Sequence, residues 1–129
     1  MSGTAIIAEL LLAEPFEPPV TVKAGRLPDA VALPTFLIRF VSGIELHMLM
    51  RSDWERRVDR ISVTVRANSY REQGVLIRQA KERCAGRVGS FAGFENVVID
   101  TAGLGPDMSG PGDTYEQTQD FRVAYDAPV

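Results

Sequence analysis

Strict alternation of polarity from Arg60 to Arg66, within the segment Val58 to Arg66, constrains the fold more than any other feature of the chain. Apolar side chains take every second position there and alternate with basic or hydroxyl side chains: Ile61, Val63 and Val65 with Arg60, Ser62, Thr64 and Arg66. Because successive side chains of a strand point to opposite faces, this period of two predicts a strand with one face on a core.

A helix is predicted directly after this strand. Ser69 and Glu72 have the spacing of a capping box, in which each residue satisfies a free amide at a helix start. The next segment carries one apolar stripe: Tyr70, Gly74, Ile77, Ala80 and Cys84. Gly86 suits a helix end because glycine adopts the left-handed conformation readily. The predicted helix therefore spans Tyr70 to Ala85.

The remaining elements follow from the same rules. An N-terminal helix is predicted with Ser2 or Thr4 as its cap, an apolar face of Ile6, Ile7, Leu10 and Leu11, and an end before Pro15. The other predicted strands are a short one containing Val20 and Val22, a hairpin of Thr35–Val41 and Ile44–Met50 about a turn at Ser42-Gly43, Phe94–Asp100 and Asp120–Tyr125. Residues 1–129 are thus expected to form a single α+β domain. In it, a small antiparallel or mixed sheet packs against one main helix, with the N-terminal helix at one side.

The segment from Thr101 to Thr114, TAGLGPDMSGPGDT, is rich in glycine and proline. Loops beyond about 12 to 15 residues are uncommon in compact domains and are often functional or disordered. This composition predicts a mobile hairpin arm that orders against a neighbouring subunit. Removing Pro106 to Gly112 is expected to weaken association while leaving monomer stability nearly unchanged.

Composition and charge argue against several classes of protein. The net charge is -3 and no block of like charge occurs, whereas nucleic-acid-binding proteins usually concentrate basic residues on one face. No stretch approaches the roughly 20 apolar residues of a membrane span. Residues Met1 to Ala13 lack the basic start and the cleavage site of a signal peptide. The single cysteine allows no intrachain disulfide, so folding in the cytoplasm is expected.

Candidate nucleophiles are few. A nucleophile and histidine pair would need His47, the only histidine, together with Cys84 or a serine. We expect His47 on the outer face of a hairpin strand. Cys84 is expected in the buried stripe of a helix, where cysteine behaves as a small apolar residue.

The acidic residues and glycines show no pattern of a binding site. The pairs Asp53–Glu55 and Asp107–Asp113 lie in loop-like sequence and are interpreted as a solvated face. Asp100, Asp107 and Asp113 lack the regular spacing of ligands in a calcium loop. No Lys-Ser/Thr follows the glycines of the 101–114 segment, as a phosphate-binding loop would require. We predict no catalytic, cofactor-binding or metal-binding residue and no enzymatic activity.

Trp54 is a candidate for contacts with other proteins. It lies near Arg51, Arg56 and Arg57, and tryptophan and arginine dominate binding hot spots. It can serve as an interface anchor or fold back over the sheet edge, and both interpretations stay open. Arginines make up all basic residues except two lysines, which fits interface contacts and also genomic base composition.

Three segments of the carboxy-terminal half carry a family resemblance. They are the strand RVDRISVTVRA, the helix REQGVLIRQAKERCAG reached through NSY, and the final FENVVIDTAGLGPDMSGPGDTYEQTQDFRVAY. The closing strand Asp120-Phe121-Arg122-Val123 after a long polar loop is the most characteristic part. From Arg57 to Tyr125 the chain resembles the tail terminator, or tail completion, proteins of long-tailed bacteriophages and prophages.

The resemblance implies a structural virion protein. Members of the tail terminator family form a ring, typically a homohexamer, that ends tail-tube growth and joins the tail to the head connector in the neck. The implied partners are other copies of the chain, the tail-tube protein and the connector or stopper protein, with no membrane and no cofactor. DNA would pass through the lumen without sequence recognition, and an acidic or neutral wall would not hold its phosphates.

Two alternatives remain open at this point. Another neck or head-completion protein is the nearer one, because such proteins share small α+β folds. A small-molecule or RNA-binding α+β domain is the other, since strand-helix-strand order also occurs in ferredoxin-like modules. An RNA-binding sheet would present aromatic and basic side chains on an exposed face, whereas Ile61, Val63 and Val65 are expected to face a core.

Overall fold

A computed structural model describes residues 2–16, 19–25, 33–46, 53–110 and 112–128 of the chain. Two helices and seven strands lie within these ranges. In chain order they are α1 (Ser2–Leu12), β1 (Thr21–Ala24), β2 (Thr35–Leu46), β3 (Trp54–Ala67), α2 (Tyr70–Cys84), β4 (Val88–Phe91), β5 (Phe94–Leu104), β6 (Met108–Gly110) and β7 (Thr114–Pro128).

All seven strands belong to one curled, half-barrel sheet. Its order is β1-β2-β3-β7-β5-β4, and β6 pairs with β7. Only β1 and β2 pair in parallel; the other described pairs are antiparallel. Strands make up 57% of the structure, so the prediction of a small sheet packed against one main helix is wrong. The sheet is the body of the fold, and both helices pack on it.

The predicted strands are too short because charged residues continue them. β3 begins at Trp54 rather than Val58, and β7 begins at Thr114 rather than Asp120. In these extensions charged side chains face each other across the two strands, as in the ion pairs Arg56–Asp126 at 3.1 Å and Arg66–Glu116 at 2.7 Å. Opposite charges on neighbouring strands stabilise a sheet, but their pairing is invisible in one segment read alone.

β2 continues through the predicted turn at Ser42-Gly43, so the predicted hairpin is wrong. A bulge between Phe40 and Ser42 bends the strand instead. The extra residue of a bulge shifts the alternation of faces by one position. Ile44 therefore pairs with Val58 within the same strand pair. The predicted positions His47, Met48, Met50 and Arg51 lie outside the described residues.

The predicted long loop from Thr101 to Thr114 is also wrong in its extent. Its first four residues continue β5, and β6 pairs with the start of β7. Between them, the Gly105 amide donates to the Thr118 carbonyl at 2.8 Å. The strand β4, which was not among the predicted strands, pairs with the other edge of β5. Apart from residue 111, the segment is therefore docked on the sheet.

Both helices form where the sequence predicts them and cover one face of the sheet. Ser69 caps α2, since its Oγ accepts from the Glu72 amide at 3.1 Å, and the Glu72 carboxylate accepts from the Asn68 amide at 3.0 Å. The side chains that fill the space between helices and sheet include Ile6, Ile7, Leu11, Phe36, Ile61, Val63, Leu76, Ile77, Ile99, Phe121 and Tyr125. The predicted apolar stripe of α1 therefore lies in the core, as do Ile77, Ala80 and Cys84 of the stripe of α2, whereas Tyr70 at its start is exposed.

A side chain of the sheet binds the N-terminus of α1. The buried Asp59 carboxylate accepts hydrogen bonds from the Gly3 amide at 3.1 Å and from the Tyr125 hydroxyl at 2.7 Å. A negative charge is favourable at this end of a helix. A Cβ at residue 3 would lie 2.9 Å from the Asp59 Cβ, so the close approach requires glycine. Thr4, predicted as a possible cap, lies inside the first turn.

Arg83 holds the other end of α1. Its guanidinium donates to the carbonyls of Leu11, Glu14 and Pro15 and lies 3.5 Å from the centroid of the Phe16 ring. The Leu11 carbonyl lies in the last turn of α1 and those of Glu14 and Pro15 follow the helix, where backbone acceptors lack helical partners. A single side chain of α2 thus satisfies them and positions the connection to β1.

We predict that Arg83→Met lowers the free energy of unfolding by about 2 kcal/mol, because charge-assisted hydrogen bonds to three carbonyls, one of them part-buried, are lost. Arg78→Met is the matched control, since Arg78 lies on the exposed side of the same helix, and a change within about 0.5 kcal/mol is expected. Urea unfolding followed by circular dichroism measures both. Equal effects would contradict the role given to Arg83.

Candidate interaction surfaces

The residues considered for covalent chemistry do not form a site in the described part of the chain. Cys84 is fully buried in α2, as predicted. Burial raises the pKa of its thiol to about 12, and the thiolate is the reactive form of cysteine. His47 lies outside the described residues. Cys84 is therefore a core residue and a poor nucleophile.

The two acidic pairs are each split by the structure. Glu55 is buried and accepts from Arg57 at 2.8 Å, so its interpretation as a solvated residue is wrong, whereas Asp53 is exposed. Asp107 binds side chains of α2, and Asp113 is exposed in the turn before β7. Across the described ranges, no group of three or more histidine, cysteine, aspartate or glutamate residues could hold a metal ion.

Charged side chains on the face of the sheet opposite the helices are largely paired. Arg60 forms an ion pair with Asp120 at 2.8 Å and donates to the Ala102 carbonyl at 3.1 Å. The hydrogen bond from Asn96 and the ion pair with Arg56 hold the pKa of Asp126 below its ordinary value. These contacts join β3, β7 and β5. They order this face and leave it mixed in charge, which does not favour binding of nucleic-acid phosphates.

A line of apolar residues crosses this outer face between the ion pairs. Strand register places one residue from each of five neighbouring strands side by side: Ile44 of β2, Val58 of β3, Ala124 of β7, Val98 of β5 and Val88 of β4. We call these five residues the apolar row. Their strand neighbours Gly43, Asp59, Val123 and Val97 lie on the helix side, so the row faces away from the core.

The apolar row is open to solvent at both ends. Ile44 is 59% exposed and Val88 is 70% exposed, whereas the three central residues are half-buried. Next to it, Leu46 and Trp54 are also exposed. More than half of the Trp54 surface is exposed, at 56%, so a large part of the side chain is open to solvent. The anchor role of Trp54 stays a prediction.

A second apolar surface lies at the opposite end of β3 and β7. The Tyr70 and Tyr115 rings meet edge to face at a centroid distance of 6.3 Å on the helix side of the sheet, and both are exposed. Since a strand rises about 3.3 Å per residue, this tyrosine surface is roughly 40 Å along β3 from Trp54. The molecule therefore presents separate apolar surfaces at its two ends.

Asp107 orders the tyrosine surface. Its carboxylate accepts from the Tyr70 hydroxyl at 3.0 Å and from the buried Gln73 amide at 2.8 Å. The hydrogen bond to Asp107 raises the pKa of Tyr70. Gln117 donates to the Gly105 carbonyl at 3.0 Å and continues this polar cluster toward β5. The segment between β5 and β6 is thus anchored on α2. The prediction of a mobile arm in this part of the chain is therefore wrong.

Sequence reasoning missed the apolar row, although each member was available to it. Val58 belongs to a strand predicted from its alternation, but the residues paired with it come from four other segments. No period in the sequence connects them. Only the register of the sheet brings them together.

No protein-family model and no curated protein matches the chain. Among the described helices, none has the length and apolar character needed to cross a bilayer.

We predict that Asp107→Ala lowers the free energy of unfolding by about 1 to 3 kcal/mol, because the buried Gln73 amide loses the nearer of its two acceptors and keeps only Gln117 at 3.4 Å. Asp53→Ala, at an exposed position, is the control and is expected to change stability by no more than about 0.5 kcal/mol. The pKa of Tyr70, followed by NMR, should also fall in Asp107→Ala. An unchanged stability and Tyr70 pKa would show that the segment is not anchored through Asp107.

We also predict that Cys84 resists thiol reagents in the folded protein. A pKa of about 12 in place of 9.0 reduces the thiolate fraction at pH 8 by about a thousandfold, and burial blocks access as well. Labelling with a disulfide reagent should therefore be complete only in denaturant. Rapid labelling of the native protein at pH 8 would mean that α2 opens readily.

Proposed function

We propose that this chain is a tail terminator subunit, which assembles into a ring that ends growth of a bacteriophage tail tube. The ring joins the tail to the head connector in the virion neck. The assignment to this family rests on the resemblance of the segment from Arg57 to Tyr125. The predicted long loop contains β6 and so no longer supports the resemblance. The resemblance therefore depends on the order of strand, helix and closing strands.

The observation that supports assembly is the apolar row, open at both edges of the sheet. Single exposed apolar residues are common on protein surfaces, but contiguous exposed apolar patches mark interaction sites. The row, Leu46 and Trp54 form one such surface, and the tyrosine surface forms another at the far end. A subunit of a neck ring needs contacts of two kinds, with its neighbours in the ring and with the partners above and below it.

Distinct surfaces for distinct partners fit this role. The sheet edges serve neighbouring copies of the chain, and the two ends serve the tail-tube protein and the connector protein. The paired charges of the outer face, and a net charge of -3 for each chain, favour a lumen that passes DNA without holding its phosphates.

The nearest alternative is another ring-forming neck or head-completion protein, since it would need the same surfaces. Whether the protein stops growth of the tail tube distinguishes the tail terminator from another neck protein. An RNA-binding sheet is less well supported, because the arginines Arg56, Arg60 and Arg66 on the outer face are held by carboxylates. Stacking of several bases also needs more aromatic side chains than Trp54 supplies on that face.

We expect the purified protein to form a ring of six chains, about 85 kDa from a chain mass of 14.2 kDa, alone or on addition of tail-tube protein. Native mass spectrometry and negative-stain microscopy measure the mass and the shape. In a tube assembly assay, the protein should cap tubes and stop elongation at substoichiometric amounts. A monomer under both conditions, without rings, would overturn the proposal, and rings that do not stop tube growth would favour another neck protein.

A further inference from the structure

The sheet has two open edges that differ in sequence. On one side, β1 pairs only with Thr35–Ile38 of β2, and the Gly25 amide closes this pairing on the Ile38 carbonyl. The described ranges offer no strand for the outer edge of the remaining Arg39–Leu46 stretch. On the other side, β4 is the last strand. Unpaired edges are templates for pairing with another chain.

The apolar row ends at these two edges. Its two most exposed residues, Ile44 and Val88, lie on β2 and β4, the strands that carry these edges, while its central residues are half-buried. Covering only the face of the row would leave the outer sides of Ile44 and Val88 in contact with water. Pairing the two edges with each other in different copies would cover both residues and would extend the row without a break.

Strand direction permits this pairing. Four antiparallel steps separate β2 from β4, so the two strands run in the same direction within one chain. In copies related by rotation about an axis along the strands, β4 of one copy would therefore lie parallel to β2 of the next. β1 already binds the first part of this edge in parallel. With Val88 beside Ile44, a neighbouring β4 would pair with Ile44–Leu46 of the remainder in the same orientation.

The side chains beside the joint also match in charge. When Val88 lies beside Ile44, Arg87 precedes Val88 and Glu45 follows Ile44. Both charged residues are exposed and both lie on the helix side of the sheet, because they alternate with members of the apolar row. Their opposite charges are diagonal neighbours, within reach of long side chains.

We propose that the open edge of β2, Arg39–Leu46, binds the β4 edge of a second copy of this chain, in parallel and head to tail. Ile44 of one copy then contacts Val88 of the next. Such a heterologous contact uses two different surfaces and generates a ring when the rotation closes. The inference rests on the proposed function in that it names the contact between neighbours in the proposed ring.

Cysteine cross-linking tests this contact directly. Within one chain, Ile44 and Val88 are four strand spacings apart, about 19 Å along the sheet, beyond the reach of a disulfide. In paired strands of two copies they would be about 4.8 Å apart, within that reach. The buried Cys84 gives an unreactive background. The test uses full-length Ile44→Cys, Val88→Cys and Leu104→Cys, the last as a control of similar exposure.

We expect a disulfide-linked dimer when Ile44→Cys and Val88→Cys are mixed and oxidised, with at least tenfold less from either variant alone or from mixtures with Leu104→Cys. The double variant Ile44→Cys/Val88→Cys should give a ladder that ends at the ring. As a second readout, Ile44→Lys should weaken self-association at least tenfold while leaving the circular dichroism spectrum unchanged.

The outcomes separate this contact from the proposed function. Rings by native mass without the Ile44–Val88 cross-link would overturn the edge contact and leave the terminator proposal standing. Preferential linkage of Ile44→Cys to itself would also overturn it, since that product is a symmetric pair. A ladder from open filaments that do not stop tube growth would support the edge contact and overturn the terminator function. A monomer that forms no cross-link would overturn both.

Discussion

Pairing of β3 with β7 is the interaction on which the rest of the structure depends. The two strands stay in register from Trp54 opposite Pro128 to Ala67 opposite Tyr115, without a bulge. The odd-numbered residues of both strands form the floor of the core, and the even-numbered residues form the outer face. β2 and β5 attach to the two free edges of this pair. A slip of one residue would turn every side chain to the other face, so core and outer face are specified together.

The helices close the core through two contacts with distant residues. Asp59 of β3 binds the start of α1, and Arg83 of α2 binds carbonyls in its last turn and just after it. α1 is short, and isolated helices of its length are marginal in water, so its stability derives from packing and from these contacts. Its removal would expose the apolar floor of the sheet near Ile61. The fold is therefore a sheet covered on one face and left open on the other.

The open face is the part of the structure that can contact other molecules over a wide area. Ion pairs order the outer face, and the apolar row crosses it from one edge to the other. The row alone is about one residue wide, well below the roughly 800 Å² that each partner buries in a stable interface. Backbone pairing at the edges adds hydrogen bonds and fixes the register of the contact, which side-chain burial alone would leave loose. Edge and row together therefore meet the requirements of an interface better than either does separately.

Local patterns in the sequence determined both helices, the cap at Ser69, the burial of Cys84 and the alternating centre of β3, because each depends on residues within a few positions of one another. Tertiary structure decided the length of the strands, the passage of β2 through Ser42-Gly43 and the docking of the 101–114 segment. Those features depend on partners such as Asp126 for Arg56 or Gln73 for Asp107, which are far away in the chain. The same holds for the apolar row. Its five residues come from five segments, and only the register of the sheet makes them one surface.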